Sequence, residues 1–193
     1  MIREVEKICR QIPHHDLALQ WDVCTEVLEI AGNLTFLPGE PWTRAGAQFE
    51  RIARMIPSSV MLGYHFCYGD LAHRHLVEPE NLGLSVQIAN LAVASSKRRV
   101  DWVHMPVPIA RSDDAYFAPL SGLQNGDTEV FLGLIHLHDG SEGALTRARA
   151  ARRYLARFGV ATECGLGRRQ PETLAEVLRI HREVAERLAQ LSP

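Results

Sequence analysis

Five short apolar runs, each set apart from the next by a stretch with helical periodicity, constrain this chain more than any other feature. The runs are Leu17–Cys24, Val60–Cys67, Val100–Val107, Glu129–Leu137 and Val160–Cys164. Helices are predicted over Ile2–Gln11, Thr43–Met55, Asn81–Arg98 and Glu142–Arg157, and from Pro171-Glu172 to the end of the chain. Val5, Ile8 and Ile12 give the first helix one buried face, and Leu174, Val177, Leu178, Val184, Leu188 and Leu191 give the last a long apolar stripe. Gly159 is expected at the C′ position that ends the fourth helix. Apolar strands joined by helices of ten or more residues imply parallel βαβ units. Five such strands suit an α/β fold, either an open doubly wound sheet or most of a TIM-like (βα)8 barrel. Both gather functional groups at the C-terminal ends of the strands.

Those ends carry polar and metal-ligating groups. In Met61–Asp70 (MLGYHFCYGD) the two-residue repeat of a strand puts His65 and Cys67 on one face. Asp22 ends the first run, His104 lies in the third, His136 and His138 end the fourth and Cys164 ends the fifth. Taken singly, each has an ordinary explanation. Cys9 and Cys24 read as core residues, His104 as a satisfied core histidine, and His73 and His75 as exposed loop residues that could flank a site. Asp22 is either a strand-end anchor or a ligand contact. Jointly, His65, Cys67 and Cys164 read as ligands of one Zn2+ with a fourth position partly or wholly open.

Composition excludes some classes. With 46% hydrophobic residues, 23% charged residues and a net charge of −2, the chain has no nucleic-acid footprint. The Arg-rich stretch 147–157 reads as a solvated helix face. No apolar run reaches the length of a membrane span, and the charged N-terminus has no signal-peptide core, so a cytoplasmic location is expected. The four cysteines lack a disulfide-framework spacing and are expected as thiols, some metal-bound.

HFCYGD (His65–Asp70) and ECGLGRRQPET (Glu163–Thr173) resemble the zinc motifs of the catalytic barrel of cobalamin-independent methionine synthase. That family sits among the zinc thiol-alkyltransferases and uroporphyrinogen-decarboxylase-like barrels. The likeness extends to LQWDV and GLIH, in the same order along the chain. It implies one domain over residues 1–193, corresponding to the C-terminal part of a (βα)8 barrel without its first three βα units. It implies zinc ligation by His65, Cys67 and Cys164, contact of Asp22 with an amino-acid thiol, and proton transfer by His136 during methyl transfer from a folate. Pro106 stands where the family has a glutamate ligand, and His104, two residues earlier, is the candidate substitute. Asp22-Val23-Cys24 replaces the family's Asp-Glu-Pro. The expected partners are a small-molecule thiol and an alkyl donor, with neither nucleic acid nor membrane. With five of eight strands, the chain is expected to be a homo-oligomer or part of a longer chain. Its contact is expected to be apolar and near Leu17–Val23. The alternative is a non-catalytic or partner-dependent barrel homologue that keeps the zinc site. A metal-free decarboxylase-like lyase is disfavoured by the His65–Cys67 pair.

Overall fold

A computed structural model describes residues 2–32, 34–69 and 75–190. Helix α1 (Ile2–Gln11) leads into strand β1 (Ala18–Asp22), and a short helix α2 (Cys24–Ile30) follows at once. Then come α3 (Pro41–Met55), β2 (Met61–His65), α4 (Gly83–Ser96) and β3 (Trp102–Pro106). The chain continues through α5 (Asp114–Phe117), β4 (Glu129–Ile135), α6 (Gly140–Arg152), β5 (Gly159–Thr162) and α7 (Leu174–Gln190).

All five strands form one parallel sheet in the order β1-β2-β3-β4-β5. That order decides between the two architectures. A doubly wound sheet reverses its strand order at a switch point, whereas sequential right-handed crossovers place every helix on the same side, as in a barrel wall. Along β1 the residues alternate, with Leu19 and Trp21 turned toward the helices and Ala18, Gln20 and Asp22 exposed. The outward residues Leu62, Tyr64, Val103, Met105, Val130, Leu132 and Leu134 are buried in the main core with Phe49, Ile52 and Ile88 of the helices. A smaller core of Ile135, Ala144, Leu145, Val177, Ile180 and Val184 ties α6 and α7 to the end of β4.

The inner face of the sheet is partly covered by its own aromatic rings. A Cβ at Gly63 would lie 1.9 Å from the indole of Trp102, so only glycine lets that ring cross β2, where Nε1 donates to Gln20 Oε1 at 3.2 Å. Phe131 lies over Gly159 in the same way, at 2.4 Å from a would-be Cβ.

Several boundaries differ from the sequence expectation. The first strand stops at Asp22, and Cys24 opens a helix that periodicity over so few residues does not announce. Helix α3 starts at Pro41 because Glu40 accepts from the Trp42 and Thr43 amides and Pro41 suits the first turn. Helix α6 ends at Arg152, and Gly159 begins β5 rather than capping a helix; its missing side chain makes room for Phe131. On α7, Leu178 is 57% exposed and Ile180 takes the expected buried place. Leu191, expected on the same stripe, lies outside the described residues, as do His73 and Asp70. Arg147, expected on a solvated face, is 2% exposed. It donates to Leu134 O and Ile109 O and pairs with Asp139 at 2.6 Å.

Candidate metal centre

The C-terminal ends of the strands are held level by backbone bonds. Asp22 pairs with His65 and His65 with His104. Past the paired residues, the Val23 amide donates to His65 O at 2.8 Å and the Phe66 amide to His104 O at 3.0 Å. Cys67 therefore sits one strand repeat beyond His65, on the same side. Beyond it, Gly69 turns the chain with φ +83°, and the amides of Leu76 and Val77 return to Tyr68 O. On the far side, a register shift between Leu132 and Ile135 brings β5 close to Gly133. A Cβ at Gly133 would lie 2.7 Å from the Cα of Glu163. Thr162 Oγ1 donates to Cys164 O at 2.6 Å and shapes the turn that aims the Cys164 side chain inward.

These constraints bring together one ligand atom each from His65, Cys67 and Cys164, all within 4.8 Å of one another. Ligand atoms around a tetrahedral zinc lie roughly 3.5–4 Å apart, so small side-chain shifts would let the three share an ion. His65 is 2% exposed, and neither ring nitrogen makes a well-formed hydrogen bond among the described residues. An unsatisfied buried polar atom costs about 1–3 kcal/mol, a cost that a bound ion would remove. The two thiols lie within reach of one another. The Cys67 thiol donates to Cys164, and the adjacent His65 adds to the effect, holding Cys164 far below the ordinary thiol range; Cys67 is pushed up by the same bond and by burial. A buried imidazole, a ready thiolate and a second thiol form a donor set that suits zinc.

The other expected residues fall around this trio. The His104 ring stacks on His65 with centroids 4.5 Å apart and 21° between planes, and burial lowers its pKa to about 3, helped by the neighbouring His65. His136 is buried, its Nε2–H donating to Val107 O at 2.8 Å and its Nδ1 3.7 Å from Glu163 Oε2. Burial, with the Arg147 charge nearby, lowers the His136 pKa to about 4. Asp22 is exposed at the rim, level with His65.

Two residues that the sequence places elsewhere also belong here. The His75 side chain is only 9% exposed, its Nε2 3.4 Å from Glu163 Oε2 and its ring edge-on to Tyr68. Cys24 is half-buried rather than core, and its side chain interacts with Cys67 and with the Gly69 backbone. The pairing of Asp22 with His65 at the end of the first strand is what puts Cys24, at the start of α2, near Cys67. Nothing local marks His75. A separate cavity of about 620 Å³, lined by Asn125, Phe131, Arg152, Phe158 and Leu188, opens at the other end of β4 and β5.

No family model matches the sequence. No curated protein matches it significantly. Solved structures do match the fold. One is a structural-genomics target from Listeria monocytogenes provisionally assigned as a vitamin-B12-independent methionine synthase. It superposes with a TM-score of 0.60 at 15% identity over 95% of this chain and 52% of that one. Another is a B12-independent methionine synthase from Shewanella sp. W3-18-1 in complex with selenomethionine, with a TM-score of 0.51 at 11% identity. That match covers 98% of this chain and 66% of the other. The protein thus has the partial TIM-barrel-like α/β fold of B12-independent methionine synthase structures. It spans about half the length of the Listeria protein.

Proposed function

We propose that this protein is a zinc-dependent thiol alkyltransferase, transferring a methyl group from a methyl-folate or similar donor to an amino-acid thiol. In this reading residues 1–193 correspond to the C-terminal part of a methionine-synthase-like barrel. The observation that carries it is the convergence of His65, Cys67 and Cys164 at the strand ends of a fold shared with such enzymes. Zinc bound there would act as a Lewis acid, favouring the thiolate form of a bound thiol near neutral pH. The remaining residues bind and move protons. Asp22, exposed at the end of β1, would accept hydrogen bonds from the amino group of an amino-acid thiol. His136 has its Nε2 proton committed to Val107 O, so Nδ1, facing Glu163, is the atom at which it would exchange a proton. His104 braces His65 by stacking on it. Among the described residues no helix is long and apolar enough to cross a membrane.

The exposed inner residues of β1 favour a second reading, a barrel homologue that acts only with a partner or keeps the metal without turnover. Zinc analysis and a methyl-transfer assay separate the two. The enzyme reading expects about one zinc per chain, lost in Cys67→Ala and Cys164→Ala, together with thiol-dependent consumption of methyl-folate. Zinc without turnover supports the second reading, and zinc-free protein with freely alkylated cysteines overturns both.

A further inference from the structure

Building on the zinc reading above, we propose that Cys24 is a third sulfur ligand, so that the ion is held by His65, Cys67, Cys164 and Cys24. The backbone carries Cys24 there. Asp22 is level with His65 and the Val23 amide bonds to His65 O, so Cys24, the first residue of α2, starts beside the strand end that carries Cys67. Its side chain interacts with that of Cys67, and Cys164 is close enough to act on it electrostatically. Cys24 Sγ is not among the three atoms that lie mutually within 4.8 Å. A change between staggered χ1 wells moves a sulfur by roughly 3 Å, so a rotamer change at Cys24 alone can reposition its ligand atom on the scale of a metal–ligand shell.

The competing candidates fail on geometry. Pro106, at the corresponding end of β3, has no ligand atom. His104 has an unpartnered Nε2, but its ring stacks on His65 at 4.5 Å with only 21° between planes. An imidazole lone pair lies in the ring plane, and zinc binds about 2 Å from the nitrogen. Planes so nearly parallel and so far apart share no point that close to both rings. An ion in the plane of His65 is therefore out of reach of the His104 lone pair while the stack persists. The buried His65, its ring nitrogens lacking well-formed hydrogen bonds, faces the space that the sulfurs border.

X-ray absorption at the zinc edge, on the zinc-loaded wild-type protein, counts sulfur ligands without any substitution. The expected result is three sulfurs and one nitrogen. Cobalt(II) loading provides the second measurement, because each thiolate adds to the near-ultraviolet sulfur-to-metal band. Cys24→Ser should remove about a third of that band's intensity, and His104→Phe, which keeps a stacking ring, should leave it unchanged. Two sulfurs in the wild-type protein, or a band indifferent to Cys24→Ser, overturn the assignment of Cys24 while the zinc reading stands. Protein that takes up no zinc overturns both.

Discussion

Two buried side chains at the end of β4 show how much single residues decide here. His136 is 6% exposed, and its pKa falls from 6.5 to about 4 because burial penalises the imidazolium. The unfolded chain then binds more protons than the folded one between these values, so stability rises with pH across that window. The stabilising contribution is complete above about pH 6.5 and is lost as pH falls toward 4. Urea midpoints measured from pH 4 to 8 should be flat at the upper end and fall below 6.5, and His136→Asn should flatten the decline. Arg147 projects from α6, bonded to Leu134 O of β4, to Ile109 O in the loop after β3 and to Asp139. Arg147→Met should destabilise the protein by about 3–5 kcal/mol, because a carboxylate and two carbonyls lose their partner; denaturant titration measures it. These residues also mark the limit of sequence reading. His65, Cys67 and Cys164 were legible as a set because strand parity is local, putting His65 on the face of Cys67, and the two cysteines each end an apolar run. Arg147 looked like one more charge in an Arg-rich helix, since its partners Leu134 O and Ile109 O come from elements the helix sequence does not mention. Cys24 was misplaced for the same reason, and His75 could be read only as exposed or flanking a site: their neighbours are distant in the chain.

Among the elements, the close approach of β4 and β5 matters most to the site. Gly133 faces the backbone of Glu163 so tightly that a Cβ would lie 2.7 Å from its Cα. Backbone cannot yield as a flexible side chain does. Gly133→Ala should therefore cost about 1–3 kcal/mol and push Cys164 away from His65 and Cys67. Zinc retention during dialysis against a chelator is expected to fall in this variant, while Gly122→Ala, where nothing lies within 4 Å of the added Cβ, serves as the control. The order of strands and long helices was readable because apolar runs and helical stripes repeat. The short α2 was not, because Cys24–Ile30 continues directly from a strand and is too brief to show a period. Nor was the start of β5, since the role of Gly159 depends on the Phe131 ring across the sheet.

At the scale of the whole molecule, the sheet has β1 and β5 as its edges among the described residues. Most of the apolar side chains of Leu17–Val23, where a contact between chains is expected, serve this chain's own core. Leu17 and Val23 are buried in the chain's own core, and Leu19 and Trp21 pack against it. What β1 exposes is the alternate set, Ala18, Gln20 and Asp22, with Met61 of β2 49% exposed beside Ala18. Trp102, reaching across Gly63 to Gln20, covers part of this face but not its outer margin. A parallel edge also presents unpaired backbone groups that another chain can bond. We therefore expect self-association through the inner margin of β1 and β2, giving a light-scattering mass twice that of the 21.6 kDa chain. An inward-pointing charge opposes edge pairing, so Ala18→Lys should shift the mass toward that of one chain without loss of helical circular dichroism. A wild-type protein of single-chain mass at micromolar concentration would mean that its own aromatic rings suffice to cover the open side.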